Sequence, residues 1–188
     1  MSDPFPAGPA TEVQQGVGDP DGFARLWTPH RMAYIEKGSS GQRERDDCPF
    51  CRLPDLPDAQ SLIVARGTVC FAVLNLYPYN PGHLLIVPYR HIADYTDLTD
   101  AESLEFAGLT RQALRALRTA SRPGGFNVGM NLGAMAGAGI AEHLHQHVVP
   151  RWGGDMNFMP VVGHTRVLAQ LLTETRQRVA DAWPVDDA

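Results

Sequence analysis

The sequence predicts an α+β protein: a mostly antiparallel five-stranded sheet with one long central helix and a second helix at the C-terminus. Three observations carry this. Short runs rich in β-branched and aromatic residues recur through the middle of the chain. One long segment free of proline interrupts them, opened by Thr99-Asp100-Ala101-Glu102, the pattern of a capping box. A last segment, 167–183, again carries apolar residues at helical spacing. Strands, one helix, more strands and a terminal helix imply strand pairing by hairpins and not by repeated crossovers.

The elements follow in order. Residues 1–22 hold four Pro and four Gly without apolar periodicity, so a flexible tail is expected there and a single domain over 23–188. Phe23, Leu26, Trp27, Met32, Tyr34 and Ile35 supply apolar mass early in that domain, with Pro29 opening a short helix. Residues 38–47 read as a polar loop and 54–58 as a turn-rich connection. Strands are expected at 61–65, 69–74 and 83–87. Before the third, Tyr79-Asn80-Pro81-Gly82 puts Pro and Gly at the central positions of a type II turn. The long helix runs to Ser121 and stops at Pro123-Gly124-Gly125, with Leu104, Ala107, Leu114 and Leu117 on its apolar stripe. Strands at 126–131 and 143–149 follow. The terminal helix is expected to turn Leu168, Leu171, Leu172 and Val179 inward.

Composition narrows the function classes. In 188 residues, 16 Lys and Arg stand against 21 Asp and Glu, a net charge of −5. That balance lacks the footprint of a nucleic-acid binder. Leu84-Leu85-Ile86-Val87 is too short to cross a bilayer, so no membrane partner is expected. The N-terminus has no secretory signal pattern, which points to a reducing cytoplasm. There, two close cysteines read better as metal ligands than as a disulfide.

The sharpest feature is His143-Leu144-His145-Gln146-His147-Val148-Val149-Pro150. In a strand, side chains alternate with period two, so the three histidines share one face at a spacing of about 6–7 Å. Such a row can contact successive atoms of one ligand. Just before it lies a loop containing Asn131, Gly133, Gly137, Gly139 and Ile140, whose backbone amides suit a phosphate. Imidazole is a good nucleophile near neutral pH. Attack at phosphorus would give a phosphoramidate and split one hard displacement into two easier ones.

These residues resemble the histidine triad superfamily, whose motif is His-φ-His-φ-His-φ-φ, where φ is an apolar residue. The resemblance is closer still to the actinobacterial diadenosine tetraphosphate phosphorylases. It rests on Arg25–Pro29, the stretch Val73-Leu-Asn-Leu-Tyr-Pro-Tyr-Asn-Pro-Gly-His83, Gly125-Phe-Asn-Val-Gly129, and Glu142 through Asp155. It implies a histidine triad fold with His145 as nucleophile. His147 would contact the α-phosphate and bridging oxygen, with His143 beside them as first member of the row. Asn131 and the amides around Gly137, Gly139 and Ile140 would hold phosphates, and Asn75 the ribose. His83 would support the site, and Trp152 would pack near the nucleotide. Gln146 stands where the family is usually apolar, but it points away from the site. Gly139 stands where close relatives carry a hydroxyl residue.

Cys48-Pro49-Phe50-Cys51 is half of a zinc site by spacing. A second Cys pair is lacking, so histidines must complete the shell, with His91 and His143 as candidates; a reduced, metal-free loop is the alternative. The resemblance implies one structural zinc per chain held by Cys48, Cys51, His91 and His143. Cys70 lies in an apolar strand and reads as a small buried hydrophobe.

The expected substrate is a dinucleoside polyphosphate or other adenine nucleotide. Inorganic phosphate as acceptor gives phosphorolysis of diadenosine tetraphosphate to ATP and ADP. Water as acceptor gives a hydrolase of dinucleoside polyphosphates or nucleoside phosphoramidates. Hexose-phosphate uridylyl transfer is disfavoured, because those relatives carry Gln where this chain has His147. A non-catalytic nucleotide sensor is the reading from another class, set against the intact His145. The resemblance further implies a homodimer with 99–121 at its interface, and association to a tetramer in the closest relatives.

Overall fold

The computed structural model describes residues 45–155 and 170–184. The expected tail, the segment around Pro29, and Leu168 lie outside them.

The sheet has five strands: β1 (Ile63–Arg66), β2 (Cys70–Leu74), β3 (Leu84–Pro88), β4 (Gly125–Met130) and β5 (Gln146–Arg151). Their spatial order is β1-β2-β3-β5-β4, and each neighbouring pair is antiparallel. Two short helices precede them, α1 (Pro49–Arg52) and α2 (Asp58–Ser61). The long helix α3 is Asp100–Ser121 and the terminal helix α4 is Leu172–Asp181.

Every residue of β2 and β3 is buried, because the sheet is covered on two faces. Alternation splits their side chains. Cys70, Ala72, Leu74, Leu84 and Ile86 meet Phe106, Leu109, Ala113, Ala116 and Leu117 of α3 in one cluster. Phe71, Val73, Leu85 and Val87 face the other way, against Cys48, Phe50 and Ile63. The loop around α1 therefore roofs the second face. Leu85 pairs with His147 in the β3–β5 ladder, so the histidine row belongs to this roofed face.

The capping box at the start of α3 is complete. The Thr99 hydroxyl accepts from the Glu102 N–H, and the Glu102 carboxylate accepts from the Thr99 N–H. Glu102 also takes two hydrogen bonds from Arg90, at 2.6 and 2.7 Å, which ties the segment carrying His91 to the helix. The Arg90 guanidinium holds the Glu102 carboxyl down to about 2.

Four expectations are corrected. The inward stripe of α3 is Phe106, Leu109, Ala113, Ala116 and Leu117, while Leu104 and Ala107 are exposed. Small alanines let the helix lie close on the sheet, so the buried phase is set by fit and not by the largest side chains. The terminal helix begins at Leu172, and Leu171 is its exposed N-cap. Ser61 closes α2, and Leu62 in the left-handed conformation turns the chain into β1. Strand β5 begins at Gln146, so His143 and His145 lie in the segment just before it, with a bend at His143. There the Leu144 N–H bonds to Ile92 instead of a strand partner.

Candidate active site

The type II turn forms as its residues dictate. Gly82 has φ +78°, and the His83 N–H donates to the Asn80 carbonyl at 3.1 Å. A side chain at Gly82 would also press on Leu117, 3.1 Å from the position of its Cβ. A second clamp fixes the turn from β5: the Asn80 amide donates to the Pro150 carbonyl and to Asp155, which Arg151 also binds. His83 is thus delivered, fully buried, to the end of the sheet where His147 arrives from β5.

Hydrogen-bond partners settle the state of each ring. The Tyr79 main-chain N–H donates to His83 Nδ1 at 3.1 Å, so the His83 proton sits on Nε2. That proton is donated to His147 Nδ1 at 2.9 Å. The His147 proton is then on Nε2, the buried polar side-chain atom without a partner among the described residues. His145 Nδ1 lies 2.8 Å from the His143 carbonyl, which can only accept, so its Nε2 keeps a lone pair. His143 Nε2 donates to the Pro88 carbonyl at 2.9 Å and presents Nδ1.

Burial disfavours the charged form of these rings. It lowers His83 to about 3 and His147 to about 4, with neighbouring histidines adding to the effect. It also lowers His145, opposed by the bond to the His143 carbonyl.

Cys48, Cys51, His91 and His143 converge, their ligand atoms all within 4.8 Å of one another. His143 Nδ1 lies 3.3 Å from Cys48 Sγ and 3.5 Å from Cys51 Sγ, and His91 Nδ1 lies 3.3 Å from Cys51 Sγ. A tetrahedral zinc with ordinary bond lengths would have S···N edges of about 3.5 Å, so the donor set fits a metal in both chemistry and spacing. Burial, with Cys48 beside it, pushes the Cys51 thiol up to about 11, a cost that a bound cation would reverse.

The remaining expected residues divide. The Asn75 amide lies 3.3 Å from His83 Nδ1, and its oxygen accepts from the Tyr77 N–H. Met130 pairs with Gln146, so Asn131 follows opposite His145. Gly137 uses its freedom at φ +92°. No backbone carbonyl among the described residues accepts the N–H of Gly139 or Ile140. Ile140 packs on the cluster that holds Phe50. Gln146 turns to the helix face and donates to Thr110 at 2.8 Å. Trp152 is not brought to the row. It follows the end of β5, five residues beyond His147 or about 16 Å of strand rise, and its indole donates to the Ser121 carbonyl.

Two residues near the row escaped the sequence reading. Phe50 packs on His143 and His145, with ring centroids 5.5 and 5.0 Å away. Tyr79 lies over His83 and His147. Only the position of Phe50 between two cysteines, and of Tyr79 in the turn, could have drawn notice.

An antiparallel sheet that ends in a row of largely buried histidines beside a Cys–His group able to hold a metal defines a histidine triad protein. A family model for the HIT domain matches residues 57–154, and the chain belongs to that family. An AP-4-A phosphorylase of Mycobacterium tuberculosis is 49% identical, over 97% of this chain and 98% of that one. An uncharacterized HIT-like protein of Mycoplasma pneumoniae is 32% identical over 60% of this chain and 77% of its own. Among solved structures, a zinc-bound histidine triad family protein of Mycobacterium smegmatis matches with TM-score 0.59 and 25% identity. The match covers 74% of this chain and 94% of that one. Among the described residues, no helix is long and apolar enough to cross a membrane.

Proposed function

We propose that this enzyme cleaves dinucleoside polyphosphates through a nucleotidyl group carried on His145, with inorganic phosphate as the acceptor. Diadenosine tetraphosphate would then give ATP and ADP. The observation that carries the reading is the bond from His145 Nδ1 to the His143 carbonyl, which leaves Nε2 as a free lone pair. The near full-length similarity to an AP-4-A phosphorylase supports the choice of substrate and acceptor.

In the first step His145 Nε2 attacks the α-phosphorus. The P–N bond forms as the bond to the bridging oxygen breaks and ATP leaves. His147 Nε2–H faces no protein acceptor among the described residues and donates a hydrogen bond to the leaving oxygen, which departs as the ATP anion and needs no proton. In the second step a phosphate oxygen attacks the same phosphorus, the P–N bond breaks, and ADP forms. The N–H groups of Gly139 and Ile140 stabilise charge on the phosphoryl oxygens, with Asn131 beside them. Asn75 binds a ribose hydroxyl. His83 acts from behind His147 and does not touch phosphate, because it is fully buried.

We assign zinc to Cys48, Cys51, His91 and His143. Four protein ligands make it a structural ion that would pin the α1 roof over the row. A homodimer is expected, since among the described residues β4 pairs only with β5 and its other edge could take a second copy. A cytoplasmic setting suits three free thiols.

Product analysis with diadenosine tetraphosphate tests the reading. ATP plus ADP that appear only with phosphate are expected. ATP plus AMP, unchanged by phosphate, would make the enzyme a hydrolase, and no turnover at all would make it a nucleotide sensor.

A further inference from the structure

A cleft of 560 Å³ opens between the β1–β2 turn, the outer face of α3 and Trp183, just beyond α4. Small-molecule sites commonly span about 300–1,000 Å³. Helix α3 covers one face of the sheet and the histidine row belongs to the other, so the sheet separates this cleft from a ligand at the row.

Two cations line the cleft without partners. Arg111 and Arg115 are exposed, and neither has an ion pair or hydrogen bond among the described residues. Like charges one turn apart weaken a helix. The helix dipole rewards cations in the last turn, where the basic residue is Arg118, and both arginines precede it. The other charges of the cleft are engaged. Glu105 accepts from the N–H groups of Thr68, Val69 and Cys70 at 2.6–2.7 Å. Arg66 is held by Asp58 and by the carbonyls of Pro54 and Leu56. Gly108, one turn before Arg111, leaves the floor of the cleft bare. A Cβ there would meet nothing within 4 Å, so packing does not require a glycine that weakens the helix. Trp183 is half-buried at the wall, and its indole N–H donates to Gln112 at 3.3 Å.

We propose that this cleft is a second nucleotide site: Arg111 and Arg115 take the phosphates of a nucleoside triphosphate, and its base lies against Trp183 over Gly108. The two guanidiniums rise from positions about 6 Å apart along the helix axis, a span that linked phosphates bridge with charge-assisted contacts. An indole offers the aromatic surface on which a base stacks. None of this depends on the reaction at His145.

The test titrates ATP into the full chain carrying His145→Ala, so that the row cannot consume the probe. The indole N–H signal of Trp183, assigned by its loss in Trp183→Phe, reads the cleft. ATP is expected to shift that signal saturably. Gly108→Leu, which fills the floor with a better helix former, should weaken the response at least tenfold, and so should Arg111→Gln combined with Arg115→Gln. Asn75→Ala, a change at the row, should leave it unaltered, and tripolyphosphate should bind at least tenfold more weakly than ATP. An unshifted Trp183 signal, a response kept in both cleft variants, a response lost in Asn75→Ala, or tripolyphosphate binding as tightly as ATP would overturn the proposal. If Gly108→Leu folds poorly, the arginine pair decides. Failure of dinucleotide cleavage would count against the reaction at His145 and leave the Trp183 response as it is.

Discussion

The two ends of the histidine row are built from the same side chain and do opposite things. At one end His143 hands its Nε2–H to the Pro88 carbonyl and shows Nδ1 to two thiols. At the other, His147 accepts at Nδ1 from His83 and leaves Nε2–H without a partner among the described residues. Between them, His145 is tied at Nδ1 and keeps a lone pair on Nε2. Three imidazoles within five residues thus present an Nδ1 beside two thiols, a free Nε2 lone pair and a free Nε2–H. What differs is the partner given to the other ring nitrogen. Imidazole chemistry in this protein is assigned by the backbone and neighbouring rings, not by the residue itself.

The difference can be broken at either end. The largest effect is expected at the centre. His145→Ala should lower turnover about a thousandfold or more while substrate still binds, because nucleophile and binding groups are separate residues. In the parent, a nucleotidyl group stable in base and lost in acid should be trapped on His145. Near-parental turnover in the variant would exclude the covalent route.

The metal end should fail differently. Cys51→Ser removes one ligand of four, and metal content measured after purification should fall towards zero. The melting temperature should drop by about 10 °C, corresponding to roughly 3 kcal/mol in a chain of this size, with stability lost before chemistry. An unchanged metal content would refute the ligand set.

Phe50 joins the two ends, and Phe50→Leu keeps apolar bulk while removing the ring from His143 and His145. Metal should be retained and kcat should fall roughly fivefold, the worth of about 1 kcal/mol of ring contact. Loss of metal in this variant would mean that the ends are one cooperative unit. The smallest effect is expected for Asn75→Ala, which should weaken AMP binding about two- to tenfold, as one hydrogen bond of about 0.5–1.5 kcal/mol allows. Equal affinities by calorimetry would remove the ribose role.

Much of this was legible in the chain because it is local. The capping box, the type II turn and the alternation that puts the row on one sheet face all depend on residues within a few positions of each other. The Cys spacing likewise carried half of the metal site, and the family resemblance supplied His91 and His143 to complete it. What misled was packing. Leu104 and Leu171 look like core residues in sequence, yet both are exposed, because which helical face is buried depends on what the sheet offers it.

By itself the sequence determined the α+β class, most of the element order, and which histidines and cysteines would gather. The first two follow from short-range stereochemistry, and the last from a motif whose resemblance to a known family carries the ligand set with it. Only the tertiary structure decided which nitrogen of each histidine carries the proton, that His83 stands behind His147, that Trp152 lies at the far end of β5, and that Phe50 and Tyr79 flank the row. Those facts hang on groups up to about a hundred residues apart in the chain: the Pro88 carbonyl for His143, Tyr79 and His83 for His147, Phe50 for His145. A ring's tautomer is set by whichever donor or acceptor the fold brings within 3 Å, and no local pattern encodes that meeting.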